Sequence, residues 1–239
     1  MESFDWKQYL NNYPDLQHLN TAHKAWIHYN RYGIDENRTD SKFIHGINNV
    51  DIFYFINIDH RTDRLEHITS QFKKYNIDPK KIYRIPAILN KECGISGCTL
   101  SHIKVLEIFI KSGLDNCVIF EDDFTFTQDL ETVNSKFNNF FNSNYFKNFD
   151  IVMLAGSTMT EYPIEPYITR VHHSQTTSGY MVNKLFANIL LENFKETDIL
   201  DSNWLKLQPI SNWYSFNPRL GLQIESYSDI THKLENYRL

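Results

Sequence analysis

The chain has 239 residues, 41% of them hydrophobic, 22% charged and 15% aromatic, and its net charge is −5. That composition supports a packed α/β domain of ordinary size and excludes an intrinsically disordered chain. The basic residues are scattered rather than gathered into the stripe that nucleic-acid binding needs, and no apolar run approaches the roughly 20 residues required to cross a bilayer.

The N-terminal residues Met1 to Trp6 are acidic and lack a signal peptide's apolar core. Three cysteines, Cys93, Cys98 and Cys117, are an odd number that suits a reducing compartment better than a disulfide framework. A cytoplasmic protein is expected. Two of the cysteines are five positions apart with no matching Cys/His pair downstream, which argues against zinc.

Residues 1–45 read as a small helical module for packing or interaction. Ser3 is a candidate cap for a short helix carrying Phe4, Trp6, Tyr9 and Leu10, which Pro14 interrupts. Thr21 is a candidate cap for a second helix from Ala22 to Tyr32, stopped by Gly33. Helices this short and rich in Trp and Tyr need a surface to pack on, and a homodimer contact is one option. The run from Trp6 through Leu16, with Ala25, His28-Tyr29 and Gly33, resembles a short helical module found beside glycosyltransferase domains in some microbial and viral proteins.

From about residue 50 to the end, the pattern alternates strand and helix. Ile52 to Ile56 is a continuous apolar run suited to a strand buried on both faces. Asp63 to Tyr75 and Leu100 to Ile110 carry apolar residues at helical spacing. Cys117 to Phe120 and Ile151 to Leu154 read as further buried strands. This order predicts a mostly parallel sheet flanked by helices, with ligands at the carboxyl ends of its strands. That rule points to Asn57-Ile58-Asp59, to Glu121-Asp122-Asp123 and to Gly156-Ser157.

Three adjacent carboxylates repel and raise one another's pKa, and a divalent cation offsets that cost. On an extended segment Glu121 and Asp123 share one face while Asp122 points elsewhere. A metal there can stabilise a departing diphosphate, although a solvated strand end explains the cluster equally well. Arg61 and Arg64, just after the first strand, have the fork that suits a diphosphate, or are plain surface. Gly97-Cys98-Thr99-Leu100-Ser101-His102 reads as a turn opening a helix, where free N–H groups collect anions.

Taken in order, Asn57…Arg61…Asp63-Arg64, Pro86-Ala87, Gly97-Cys98-x-Leu100-Ser101-His102, Ile119-x-Glu121-Asp122-Asp123 and Gln223…Ser228-Asp229-Ile230 resemble glycosyltransferase family 25. That family includes bacterial lipooligosaccharide and collagen galactosyltransferases, with relatives in large DNA viruses. The resemblance spans roughly residues 52–232. It implies a GT-A type Rossmann-like fold over residues 50–239 and a donor such as UDP-galactose or UDP-glucose. The implied acceptor is a glycan, lipooligosaccharide or glycoprotein, met in the host cytoplasm if the source is viral. It also implies a Mn²⁺ or Mg²⁺ ion at Glu121 and Asp123, with Asp229 or His232 as further ligands.

By the same resemblance, Asn57, Asp59, Arg61, Arg64, Ala87, Gly97, Ser101, His102, Asp122 and Gln223 surround the donor, with Ser178 and Gly179 lining its sugar. Asp201 is the implied general base for the acceptor hydroxyl, with Asp198 as competitor, and a helix cap is the other use for an Asp there. Leu89-Asn90 departs from the family's Asp-Gly, which leaves a donor contact from that loop open. Two further readings compete. One is an inactive transferase-like module that binds sugar or acts as a scaffold. The other is a metal-dependent phosphohydrolase, which would need more converging His and Asp residues than the sequence offers.

Overall fold

The computed structural model describes residues 4–36, 38, 40, 46–90, 93–224, 226–228 and 233–235. They fall into two compact units, Met1–His45 and Gly46–Leu239.

In the first unit, helix α1 (Trp6–Asn12) is capped by the Asp5 carboxylate, which accepts from Gln8 N–H, rather than by Ser3, which lies outside the described residues. Pro14 opens a 3₁₀ turn as its fixed φ and missing N–H allow. Helix α2 (Ala22–His28) is capped by the Thr21 hydroxyl and runs on through a wider turn to Gly33. The helices bury a small core between themselves, made of Tyr9, Leu10, Leu16 and Ala25 under Phe4, Trp6, Tyr13 and Tyr29. The buried Tyr9 hydroxyl finds a partner in His28 Nδ1 at 2.9 Å.

The second unit is a mixed α/β layer structure. Its elements in order are β1 (Ile52–Asn57), α3 (Thr62–Lys74), β2 (Ile82–Pro86), α4 (Gly94–Ser112), β3 (Asn116–Glu121), β4 (Phe124–Phe126) and α5 (Leu130–Phe141). They continue with β5 (Ile151–Met153), β6 (Ser157–Glu165), β7 (Ile168–Gln175), β8 (Gly179–Asn183), α6 (Lys184–Asn193), α7 (Leu200–Asn203), β9 (Trp213–Phe216) and β10 (Gly221–Gln223). Eight strands form one sheet in the order β2-β1-β3-β8-β5-β9-β7-β6. Strand β8 runs antiparallel to β3 and β5, and β7 antiparallel to β9 and β6, so the other six strands share one direction. The expected mostly parallel sheet is present, with antiparallel strands set into it. Among the described residues no helix is long and apolar enough to cross a membrane.

The apolar runs are continuous because both sheet faces are covered. Phe53, Phe55, Val118 and Phe120 pack with Ile68 and Phe72 of α3 and Phe137 and Phe140 of α5. The alternate residues Ile52, Tyr54, Ile56, Cys117 and Ile119 pack with Val105, Leu106 and Phe109 of α4 and Leu190 of α6. Register places Ile56 beside Glu121 and Asn57 beside Pro86, so β1, β2 and β3 end together. Strand β4 then pairs with β10, setting Gln223 opposite Phe124 and next to Asp123.

That junction is tight. A Cβ at Gly179 would stand 2.6 Å from the Phe124 ring, far inside van der Waals contact. Gly179→Ala should therefore lower the denaturation free energy by about 1–3 kcal/mol, and the loss should shrink in a Phe124→Leu background. Gly221→Ala, whose Cβ would also stand 2.7 Å from the Thr125 carbonyl oxygen, should keep most of its loss in that background. Urea denaturation of the single and double variants checks both expectations.

Candidate active site

A cleft opens at the shared carboxyl end of β1, β2 and β3, where the first turns of α4 and the end of β10 close around it. Helix α4 starts at Gly94, three residues before the turn that the sequence suggested, so Gly97 to His102 are helical. Gly97 is glycine for close approach: a Cβ there would meet the Ile88 carbonyl oxygen at 2.5 Å. Ser101 then ties the same loop down, its hydroxyl accepting from Ile88 N–H at 2.8 Å and donating to the Gly97 carbonyl. Ala87 N–H donates to the Asn57 carbonyl, which brings the loop after β2 against β1. Gly94, at the first turn of α4, lines the cleft, and Cys93 gives that helix no side-chain cap.

The three acids at the end of β3 all line this cleft. Alternation does not hold for them, because the strand ends at Glu121 and Asp122 and Asp123 lie in the turn that follows. Asp122 accepts from Asn57 Nδ2 at 2.7 Å and from Arg64 Nη1 at 3.0 Å. Arg64 Nη1 is also 3.1 Å from Asp123 Oδ2, which Gln223 Nε2 reaches at 3.1 Å. Glu121 takes His102 Nε2 at 3.2 Å and the Thr177 hydroxyl at 2.5 Å. Tyr180 completes the chain, its hydroxyl 3.0 Å from His102 Nδ1.

Three carboxylates thus face one guanidinium, and their proton affinities diverge. Burial raises the Asp123 pKa to about 7, with the Glu121 charge adding to it and Arg64 opposing. Burial also raises Asp122, only partly offset by Arg64 and Asn57. For Glu121 burial acts upward too, but the hydrogen bond and charge of His102, with Thr177 and Arg64, bring its pKa below the ordinary value. One acceptor is left over: Asp123 Oδ1 is buried and has no hydrogen-bond partner among the described residues. A buried, orphaned carboxylate oxygen beside two more acids fits a hard divalent cation.

Other sequence candidates fall elsewhere. Asp59 pairs with Arg84 at 2.6 Å, and that arginine also donates to Asn57 Oδ1, bracing the end of β1. Arg61 stands at the N-cap position of α3, makes no side-chain cap there, and chelates Asp63. The Ser178 carbonyl accepts from Glu121 N–H, which extends the β3–β8 ladder, and its buried hydroxyl lacks a partner among the described residues. Asp198 Oδ2 accepts from Lys195 N–H and Asn203 Nδ2, closing the loop before α7. Asp229 and His232 lie outside the described residues.

Asp201 differs from Asp198. Burial raises its pKa, with the Thr176 backbone hydrogen bond opposing and the Glu121 charge adding, and Asp201 stands outside the residues that line the cleft. Its Oδ2 accepts from Thr176 N–H at 3.1 Å. Thr176 has φ of +84°, a costly conformation for a β-branched residue. That strain sits at the start of the turn Thr176-Thr177-Ser178, between Asp201 and Glu121. Sequence reading missed Thr176, Thr177 and Arg84. A hydroxyl or a guanidinium carries no local signal, and each meets its partner across 20 or more positions.

Residues 93–203 match the family model described as Glycosyltransferase family 25 (LPS biosynthesis protein). That match covers 111 of the 239 residues, just under half of the chain, and likens this segment to a family of sugar-transferring enzymes. Distant likenesses exist among solved structures. A197 from STIV is 12% identical, with a TM-score of 0.42 over 78% of this chain and 98% of its own. A glycosyltransferase involved in the glycosylation of the major capsid of PBCV-1 is 9% identical, with a TM-score of 0.46 over 76% and 95%. A mannose-1-phosphate geranyltransferase from Thermus thermophilus is 9% identical, with a TM-score of 0.39 over 75% of each chain. No curated protein sequence matches the chain.

The pKa shifts carry a stability signature. A carboxyl raised by folding stabilises the native state at pH values below its unfolded pKa, and that contribution is lost as pH rises through the folded value. For Asp123 the loss falls between ordinary acid pH and about 7. Glu121, lowered by folding, works in the opposite sense at lower pH. Asp123→Asn should therefore melt higher than the parent protein at pH 8, with the gap closing toward pH 5. Thermal melts across that range in metal-free buffer check the sign.

Proposed function

We propose that this enzyme transfers a hexose, galactose or glucose, from a UDP-sugar to a hydroxyl of a glycan, lipooligosaccharide or glycoprotein, with a Mn²⁺ or Mg²⁺ ion held at the end of β3. The observation that carries this reading is the buried Asp123 Oδ1, without a hydrogen-bond partner among the described residues, in a cleft walled by three acids and a helix N-terminus. Asp123 and Glu121 are the ligands in this reading, and the cation supplies charge that offsets the departing diphosphate.

The protein's own groups do the rest. Arg64 offers a guanidinium at the acids, and the first turn of α4 offers free N–H groups, both suited to a diphosphate. Asn57, braced by Arg84, fixes Asp122. Asp201 serves as base: its raised pKa makes it a stronger base than an exposed carboxylate, and Thr176 N–H holds it in place. It takes the acceptor hydroxyl proton as that oxygen bonds to the sugar's C1 and the C1–diphosphate bond breaks. Asp198 is committed to its loop and is the weaker candidate.

One observation favours a variant of this reading. Arg64 already bridges Asp122 and Asp123, so a transferase without a metal could use that guanidinium alone. Nucleotide release from a panel of nucleotide sugars, with Mn²⁺, Mg²⁺ or EDTA, separates the cases. The expected result is Mn²⁺- or Mg²⁺-dependent UDP release from UDP-galactose or UDP-glucose, abolished in Asp123→Ala. A full rate in EDTA would leave the charge to Arg64. Donor binding with no release from any donor would favour a sugar-binding module instead.

Asp201→Asn should lower kcat by about 10²–10⁴-fold while leaving donor affinity unchanged. Steady-state kinetics beside donor titration checks this, and an equal loss in Asp198→Asn would reassign the base.

A further inference from the structure

The geometry points to a second metal site on the other flank of Glu121, built by Cys98, His102 and Glu121 and suited to a borderline transition metal of the zinc class. It shares Glu121 with the donor-metal reading but leaves out Asp123 and adds Cys98 and His102.

Cys98 and His102 are four positions apart on α4 and so share one face of the helix. That face meets the end of β3. The Cys98 sulfur, a His102 ring nitrogen and a Glu121 carboxylate oxygen all lie within 4.8 Å of one another. A tetrahedral zinc with bonds of roughly 2.0–2.3 Å separates its ligand atoms by about 3.3–3.8 Å. His102 Nε2 and Glu121 Oε1 already stand 3.2 Å apart, longer than the ~2.7–2.9 Å of a good charge-assisted hydrogen bond. From the 4.8 Å bound, closing the site asks the ligand atoms to approach by about 1.3 Å at most.

The surroundings are those of a ligating histidine. Metal-bound imidazoles almost always have the other ring nitrogen held. Here Tyr180, fully buried, places its hydroxyl on His102 Nδ1, which leaves Nε2 for a metal. His102 itself is 1% exposed, so its ring cannot swing away. Thr177 fixes the Glu121 carboxylate in the same way. All three ligands line the cleft, so an ion can reach them.

The donor set also discriminates. A thiolate and an imidazole favour zinc or cobalt over the hard Mg²⁺ and Mn²⁺ that all-oxygen sites take. Glu121 is the one side chain both sites would use, so a zinc-class ion here draws it away from Asp123.

Titrating the metal-free protein with Co²⁺ tests this. The expected result is a thiolate-to-cobalt charge-transfer band in the near ultraviolet, with the strong visible bands of tetrahedral cobalt. The charge-transfer band should vanish in Cys98→Ser and persist in Cys93→Ser, whose cysteine is exposed at the start of α4. It should also persist in Asp123→Asn, which separates this site from the donor-metal reading. Tyr180→Phe should weaken cobalt binding about tenfold or more. X-ray absorption on the unaltered zinc-loaded protein should show one sulfur at about 2.3 Å, whether or not the variants fold. A shell of nitrogen and oxygen alone, no charge-transfer band, or a band lost in Cys93→Ser but kept in Cys98→Ser would overturn the proposal.

Discussion

Three consecutive carboxylates at the end of a buried strand repel one another, and the polar contacts around the cleft answer that repulsion. Strand β3 is held by β1 on one side and β8 on the other, so the acids cannot drift apart by fraying. Each acid meets a different answer. Asp122 gets an amide and a guanidinium, Glu121 an imidazole and a hydroxyl, and Asp123 a share of Arg64 and one side-chain amide. The allocation is uneven, and the proton affinities record it. The Glu121 pKa falls below the ordinary carboxylate value, while that of Asp123, one of whose oxygens has no hydrogen-bond partner among the described residues, rises to about 7.

Much of this was legible in the sequence, for physical reasons that can be named. The run Ile52 to Ile56 has a hydrophobic residue at every position because both faces of β1 are covered, and that pattern needs no partner to be read. The helical spacing of α3 and of most of α4 is equally local. The acidic triplet could be placed at a strand end, and it is there. Gly97, Ser101 and His102, named by resemblance, line the cleft, but the local structure gives them a partly different role. The motif does not open the helix. It lets the helix lie against the Ile88 loop, with Gly97 removing a side chain and Ser101 pinning the loop's N–H.

What was not legible depends on pairing across distance. Nothing local tells that β8 inserts antiparallel beside β3, yet that insertion brings Thr177 to Glu121 and Tyr180 to His102. Gln223 was picked out, but its route to Asp123 runs through the β4–β10 pair, whose three-residue strands carry no periodicity to detect. The expected alternation of Glu121 and Asp123 failed at the point where the strand gives way to a turn, because alternation holds only while the backbone stays extended.

These long-range contacts explain why the cleft can hold an arrangement that is costly in isolation. Asn57, Arg64, His102, Thr177 and Gln223 come from β1, α3, α4, the turn before β8, and β10, so the acids are compensated only once the sheet is complete. Until then they repel in open solvent, where water screens them at little cost. The finished fold therefore concentrates its electrostatic stress at one spot, next to a threonine held at positive φ and a glycine pressed on the Phe124 ring. The same rigidity that prevents relief of that stress keeps Asp123 Oδ1 without a donor among the described residues. A group that supplies positive charge there meets carboxylates whose positions are already fixed, and so binds without first having to reorganise them.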